Sequence, residues 1–359
     1  MVLGSVLAGL GALFLVVAVR SLIDSPGFGF DFACYVGGAE RLVAGQNIYL
    51  PQNLEGPFRH GAANVYVYAP PLAVALAPLT ALSFETAALV WLGLRIALLV
   101  AACALLPVPR HVRLLAFAVA TFSSATLIDL NLGNVSVIVL FLLAVAWRWL
   151  DHPLGSIAVA VSTALRPMTG LLLLWQLVRA QRRAAAWTIG AGLVLIALTL
   201  PFVGLQGYLD FLRVVRNDQV AGVGHNAALE SLGLVLGLSP AAALALHLGG
   251  VVVALGAAVA SLRRDRELSF VVCTSASLLL APLLWDHYLV SLVIPAAFLA
   301  ARGRPWGILL PLLAWLPHEA QALPALAGLL LPFLARDVDS AEPQPITDLR
   351  GAALERAGG

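Results

Sequence analysis

The chain has 359 residues, of which 61% are hydrophobic and only 11% are charged, whereas soluble domains carry about 25% charged residues. Apolar runs recur from end to end, which excludes a soluble globular domain and predicts an all-α, polytopic membrane protein. The net charge of +2 gives no indication of a nucleic-acid partner, and the three cysteines are too widely spaced for a metal or disulfide motif.

Arginine-rich loops indicate the orientation of the chain, because such loops stay on the cytoplasmic side of a membrane. Four loops of this kind are expected inside, at residues 110–113, 179–183, 263–266 and 302–304. The first apolar segment, residues 2–23, lacks the features of a cleaved signal peptide and is interpreted as a retained helix. It runs outward, so residues 24–85 are expected to form an exterior loop.

Two apolar segments contain prolines that change their interpretation. Residues 68–82 are too few to span a bilayer, which takes about 20 residues, and they are interpreted as an interfacial or re-entrant helix on the outer side. A short spanning helix is the alternative. Residues 154–178 carry Arg166-Pro167 in their middle, and proline disfavours helix at the residue before it. We expect two short helices that meet there, with Arg166 at the base of an outward-opening cavity.

The other apolar segments complete a bundle of about twelve transmembrane helices with both termini inside. They cover residues 86–106, 114–129, 134–150, 185–203, 241–262, 268–284, 288–301, 306–317 and 322–335. Residues 207–216 have the amphipathic pattern of a helix on the membrane surface. The sequence therefore predicts one membrane domain, residues 1–335, followed by a disordered cytoplasmic tail, residues 336–359.

Polar residues at a membrane are costly and are functional candidates, and on this topology they gather on the outer face. Asp31, in the first exterior loop, is a candidate general base for an acceptor hydroxyl. The alternative is an N-cap of a helix over residues 32–44, a position that aspartate favours. Tyr35 shares a helical face with Asp31 and either orients the acid or anchors the helix at the interface.

Further candidates come from later loops, and each has a structural alternative. Arg166 suits a phosphodiester, or its side chain extends toward the lipid head groups. The others are candidate sugar or phosphate ligands, with helix capping, an interfacial pair or a loop hydrogen-bond network as alternatives. These are Asn134, His225, Asn226, Asp286 and His287. No metal ligands or cofactor motif accompany them.

Seven short motifs, in order along residues 28–290, resemble those of a known family. They are Asp31-(3)-Tyr35, Gly45-(3)-Tyr49, Tyr68-Ala-Pro-Pro, Gly133-Asn134, Leu165-Arg166-Pro167, His225-Asn226-(4)-Ser231-Leu232 and Ala281-Pro282-(2)-Trp285-(1)-His287. The chain resembles polyprenyl-phosphate-dependent glycosyltransferases of the GT-C fold, and most of all glycosyltransferase family 87, the bacterial alpha-mannosyltransferase family. It departs from the family pattern where Asn134 replaces a glutamine and Arg166 replaces a lysine.

The resemblance implies that Asp31 matches the catalytic acid of the family and that the donor is a polyprenyl-phosphate sugar, usually mannose. We therefore expect a multi-pass cell-membrane enzyme that moves the sugar, with inversion, to a lipid or glycan hydroxyl on the exterior face. A polyprenyl-phosphate arabinofuranosyltransferase is the alternative among enzymes. A transporter or flippase of an amphiphile is the alternative outside enzymes, although transporters usually carry internal repeats, which this sequence lacks.

Overall fold

The structure, a computed structural model, describes residues 2–59, 65–219 and 226–335. The α-helices in these ranges are α1 Val2–Ile23, α2 Phe30–Val43, α3 Pro51–Glu55, α4 Pro70–Leu76, α5 Phe84–Leu105, α6 Arg110–Phe122, α7 Ser124–Leu132, α8 Ser136–Arg148, α9 Pro153–Leu165, α10 Leu171–Val178, α11 Arg182–Asn217, α12 Leu229–Val235, α13 Pro240–Ser261, α14 Arg266–Leu279, α15 Val293–Ala301 and α16 Ala322–Leu330. The 3-10 segments are Ala77–Ala81, Pro167–Gly170, Asp286–Leu292, Pro305–Trp315, His318–Ala320 and Leu331–Leu334. The strands β1 Phe58–Arg59 and β2 Asp218–Gln219 form one parallel pair.

The all-helical membrane architecture is confirmed, but the count of about twelve spans is not. Among the described residues, four helices are long and apolar enough to cross a membrane: α1, α5, α11 and α13. A fifth span results if α6 and α7, which meet at an angle of 62°, are taken together. Several apolar runs that look like spans in the sequence are instead divided into helices of 10–17 residues. Pro167 begins the 3-10 turn that separates α9 from α10, and Pro311 lies inside the 3-10 segment Pro305–Trp315. Proline has no backbone N–H to donate to a helical hydrogen bond.

The two proline-containing segments follow the sequence expectations closely. Residues 70–81 form α4 and one 3-10 turn, which is shorter than a spanning helix. The segment 154–178 is divided at the predicted point. Helix α9 ends at Leu165, Arg166 is extended with φ −145° and ψ 95°, and a 3-10 turn leads from Pro167 into α10. The predicted break at Arg166 is therefore confirmed.

Arginine side chains tie several helix connections together at one end of the bundle. The contacts are Arg266 Nη2 to the Leu150 carbonyl at 2.7 Å and to Gln181 Oε1 at 2.8 Å, Arg179 Nη1 to the Leu262 carbonyl at 3.1 Å, and Arg302 Nη2 to Glu267 Oε2 at 2.8 Å. These contacts confirm that the loops at 179–183, 263–266 and 302–304 share one end. Helices α8 and α9 lead from this end to the opposite end, where Ser136 and Arg166 lie.

An aromatic cluster packs the first extramembrane loop against α5 at that opposite end. The ring of Phe32 stacks on Trp91 with 5.5 Å between centroids. A Cβ atom at Gly38 would lie 2.7 Å from the Tyr66 ring, so only glycine lets this ring rest on α2. In the Gly37-Gly38-Ala39 run, Gly38 therefore allows the Tyr66 ring to pack closely against α2.

Helix α11 consists of two parts, because Gly204 has non-helical angles of φ 62° and ψ 177°. The second part contains the predicted surface helix, residues 207–216. It is held to the first loop by the buried Asp210, which accepts hydrogen bonds from Asn47 Nδ2 at 2.7 Å and Arg213 Nη1 at 2.9 Å. The first loop and the second part of α11 are thus in direct contact. The predicted disordered tail, residues 336–359, lies outside the described residues.

Candidate active site

Asp31 lies in the first turn of α2, and the residue before this turn is the N-cap of the helix. Gly29 is the N-cap and has the left-handed conformation, with φ 73°. Glycine adopts a positive φ without steric cost, and it is an accepted N-cap residue. The alternative interpretation of Asp31 as the N-cap is therefore wrong. Its carboxylate instead accepts a hydrogen bond from Asn134 Nδ2, with 2.7 Å between the two atoms.

The turn between α7 and α8 brings Asn134 to Asp31. Gly133 has φ 82°, and a Cβ atom there would lie 2.6 Å from the Phe32 Cβ. Any side chain at Gly133 would push the turn away from α2. The Asn134 amide has a defined orientation, because its Oδ1 accepts from Ser136 N at 3.1 Å and Ser136 Oγ at 3.0 Å. Its Nδ2 donor must then face Asp31.

Arg166 reaches the same asparagine from the break between α9 and the following 3-10 turn. Its Nη2 donates to Ser136 Oγ at 2.6 Å and to Asn134 Oδ1 at 3.3 Å. Its guanidinium carbon lies 3.6 Å from the ring centroid of Tyr288, in a cation–π contact. Arg166 is only 4% exposed. All of its hydrogen bonds to the described residues come from Nη2, so the Nη1 and Nε donors remain available to an anionic ligand.

A cavity of about 760 Å³ contains these groups. Small-molecule sites usually have volumes of about 300–1,000 Å³. Of the residues proposed from the sequence, Asp31, Tyr35, Asn134, Arg166 and His287 line it. The remaining wall is largely apolar. Its apolar members are Phe30, Val65, Val67, Ala69, Leu132, Ala164, Leu165, Pro167, Met168, Phe211, Val215, Leu280, Pro282 and Trp285. The cavity therefore combines polar groups with a largely apolar lining, which suits an amphiphilic ligand.

Tyr68 also lines the cavity, and the sequence reasoning did not assign it to the site. Its hydroxyl oxygen lies 3.0 Å from the Tyr35 hydroxyl and 3.4 Å from Asn134 Nδ2. Burial raises the pKa values of the Tyr35 and Tyr68 hydroxyls above the usual value, so both stay protonated at neutral pH. The residue was placed at the start of an apolar helix, and its motif Tyr68-Ala-Pro-Pro was the only sequence signal for a role.

A buried ion pair behind the site was also missed. Arg95, in the middle of α5, is 1% exposed and Asp129, in α7, is fully buried. Arg95 Nη1 lies 3.3 Å from Asp129 Oδ2, and Arg95 Nη2 donates to the Leu130 carbonyl at 3.0 Å. Asp129 Oδ1 accepts from Ser136 N at 2.9 Å. The available signal was an arginine inside an apolar run, which is a functional candidate by itself.

Two of the residues proposed from the sequence lie outside the cavity wall. The structure places neither Asp286 nor Asn226 in the cavity wall. Asp286 Oδ1 lies 2.5 Å from His318 Nδ1, a hydrogen bond that raises the pKa of His318. Asn226 Oδ1 accepts from the backbone N–H groups of Ala228 at 2.9 Å and Leu284 at 3.0 Å, so it joins two loops. His225 lies outside the described residues.

His287 does line the cavity, and aromatic rings fix its orientation. Its ring stacks on Trp285 with 6.2 Å between centroids and meets Tyr288 edge-on at 5.0 Å. The same Tyr288 ring contacts Arg166. Within the described residues, no three His, Cys, Asp or Glu side chains group as metal ligands would. The site thus combines a carboxylate, a guanidinium, an amide, three phenols and an imidazole, which are groups for proton transfer and anion binding.

Comparison with protein-family models gives a match over most of the site. The family model described as glycosyltransferase family 87 matches residues 66–284, which is more than half of the chain. The matched range contains Tyr68, Asn134 and Arg166, and it begins after Asp31 and ends before His287. Searches of curated proteins and of solved structures gave no match.

Proposed function

The chain belongs to glycosyltransferase family 87. We propose that it transfers a sugar, with mannose as the expected one, from a polyprenyl phosphate to a lipid or glycan hydroxyl. One observation carries the proposal. Asp31 and Arg166 line the same cavity, and both bind the same amide, that of Asn134. A candidate base and a candidate phosphate ligand are therefore held at a fixed separation by one residue.

In this proposal Asp31 acts as the general base. The acceptor hydroxyl oxygen attacks the anomeric carbon while its proton passes to the Asp31 carboxylate. The bond from the anomeric carbon to the phosphate oxygen breaks, and the polyprenyl phosphate leaves with that electron pair. The anomeric configuration inverts, because attack and departure take place on opposite faces. Asn134 donates to the carboxylate and so holds it in place for the proton.

Arg166 would stabilise the charge that grows on the departing phosphate. Guanidinium groups bind phosphate oxygens with paired N–H donors, and Arg166 retains the Nη1 and Nε donors for this purpose. The leaving group is already a weak base, so charge stabilisation is the main requirement. We propose that neither a metal ion nor a cofactor takes part, and that activity therefore persists in EDTA.

The apolar wall supports a lipid-linked substrate. Phe211 and Val215, from the second part of α11, contribute to it together with Met168. The charge rule assigns the arginine-rich end to the cytoplasm, and α8 and α9 lead from there to the site. We propose that the cavity faces the exterior of the cell membrane. A cysteine introduced at the exposed Gln52 should react with a membrane-impermeant reagent on intact cells, and protection of this cysteine would contradict the orientation.

Two other functions remain to be separated by experiment. An arabinofuranosyl donor would use the same carboxylate and guanidinium. A transporter or flippase of an amphiphile would also use a cavity with an apolar wall, but family membership favours the enzyme.

Purified protein in lipid nanodiscs would be given radiolabelled polyprenyl-phosphate mannose, or the arabinofuranose analogue, with a membrane lipid extract. We expect a new labelled lipid or glycan from the mannose donor. Labelled product from the arabinofuranose donor alone would change the sugar assignment. Protein in vesicles that moves the labelled donor across the membrane without forming a product would indicate the transporter.

A further inference from the structure

Among the described residues, the Tyr68 hydroxyl accepts hydrogen bonds but has no acceptor for its own proton. Tyr35 is 1% exposed, and within the described residues its hydroxyl has Tyr68 as its hydrogen-bond partner, so the Tyr35 proton points to the Tyr68 oxygen. Asn134 Nδ2 also donates toward this oxygen at 3.4 Å. A phenol oxygen accepts two hydrogen bonds and donates one. The Tyr68 oxygen therefore accepts from both neighbours, and its own proton is directed at the cavity that it lines.

The Tyr68 side chain is held firmly in this position. Tyr49 donates its hydroxyl proton to the Tyr68 carbonyl at 2.8 Å, and Tyr66 donates to the Ala69 carbonyl at 2.8 Å. The Tyr68 ring meets Tyr35 edge-on, with 4.8 Å between centroids. A donor fixed in this manner needs no reorganisation when charge develops in front of it, which is the condition for effective electrostatic catalysis.

We propose that the Tyr68 hydroxyl donates a hydrogen bond to a phosphate oxygen of the glycosyl donor and is a catalytic residue. The inference rests on the function proposed above. Tyr68 lies close to both the candidate base and the candidate phosphate ligand. It contacts Asn134, and Asn134 binds both Asp31 and Arg166. An acceptor oxygen is the less suitable partner, because a hydrogen bond to the attacking lone pair would weaken the nucleophile. The departing phosphate gains charge and benefits from a second donor beside Arg166.

Two single variants separate this role from a structural one. Tyr68→Phe removes the hydroxyl and with it the contacts with Tyr35 and Asn134 and the cavity donor. Tyr35→Phe removes the same Tyr35–Tyr68 hydrogen bond but leaves the Tyr68 proton in place. Loss of one donor to a developing oxyanion costs about 10²–10³-fold in kcat. We expect a loss of this size for Tyr68→Phe and a loss at least about tenfold smaller for Tyr35→Phe, with similar thermal unfolding for the two variants.

The assay would measure kcat and the KM values for donor and acceptor with polyprenyl-phosphate mannose. A fall in kcat with an unchanged KM for the acceptor supports the assignment. Equal losses in Tyr68→Phe and Tyr35→Phe would reduce Tyr68 to a packing role, and an effect confined to the acceptor KM would move the contact to the acceptor. Wild-type protein that neither binds nor turns over the donor would refute the proposed function itself, whereas the two preceding outcomes refute only the Tyr68 assignment.

Discussion

Replacement of Asp31 by asparagine separates catalysis from structure, because the fold assigns the N-cap of α2 to Gly29. The new amide can still accept the hydrogen bond that Asn134 donates to Asp31 at 2.7 Å. A hydrogen bond to a charged group contributes about 1.5–3 kcal/mol and a neutral one about 0.5–1.5 kcal/mol. The free energy of unfolding should therefore fall by about 1 kcal/mol. The amide cannot take a proton, and loss of a general base costs about 10²–10⁴-fold in rate.

That rate loss corresponds to about 2.7–5.4 kcal/mol of transition-state stabilisation, which exceeds the expected loss of stability. Turnover of labelled donor and thermal unfolding of the same preparation would show both effects. Asp24→Asn is the matched control, since Asp24 is an exposed carboxylate in the same loop, and it should keep full turnover. A well-folded Asp31→Asn protein with turnover close to that of wild type would refute the role of Asp31 as base. Lost turnover with intact donor binding would agree with it.

Three further predictions concern charged groups. Arg166→Ala should raise the donor KM and lower kcat, because Arg166 also orients Asn134, and Arg166→Lys should recover part of both as a point charge. Arg95→Met should lower the free energy of unfolding by about 3–5 kcal/mol, since it leaves the buried Asp129 carboxyl without its ion-pair partner. Addition of Asp129→Asn should restore part of this stability. The hydrogen bond that the His318 ring donates to Asp286 raises the pKa of His318. The stability gained from this pair should be complete below the unfolded pKa of about 6.5 and should be lost as pH rises through the folded pKa.

Each of these predictions has a measurement that would contradict it. If steady-state kinetics with varied donor gave the same donor KM for Arg166→Ala and wild type, the prediction for Arg166 would be contradicted. If denaturation in detergent showed the double variant at Arg95 and Asp129 to be less stable than Arg95→Met, the prediction for the ion pair would be contradicted. The prediction for His318 would be contradicted if unfolding temperature plotted against pH, between about pH 5 and pH 9, were the same for wild type and for Asp286→Asn, which lacks the carboxylate.

The sequence predicted backbone features that depend on a neighbouring residue. The break at Arg166 follows from Pro167, because proline restricts the residue before it. The loops at one end of the bundle share arginine, and they contact one another as expected. The positions of Asp31, Asn134 and Arg166 on one cavity were expected from the outer-face grouping of their loops.

Side-chain direction could not be predicted in the same way. Asp286 and His287 are adjacent in sequence, yet one contacts His318 and the other lines the cavity. This difference depends on the tertiary position of a 3-10 turn. The count of about twelve spans is not confirmed for a related reason, because apolar composition does not show where a run is divided. Tyr68 was missed because its hydroxyl becomes useful only when Tyr35 and Asn134 lie beside it.

The Arg95–Asp129 pair has a consequence for how the protein is built into the membrane. An arginine at the centre of an apolar helix raises the cost of membrane insertion by about 2.5–3.5 kcal/mol. Asp129 follows α5 in the chain, so α5 reaches the bilayer before α7, and its apolar stretch with a mean hydropathy of 2.3 offsets the cost of the arginine. The charge is neutralised only when α7 arrives and docks. We therefore expect Arg95 to select α7 as the neighbour of α5 during synthesis, so that the turn carrying Asn134 is placed before the later helices are inserted.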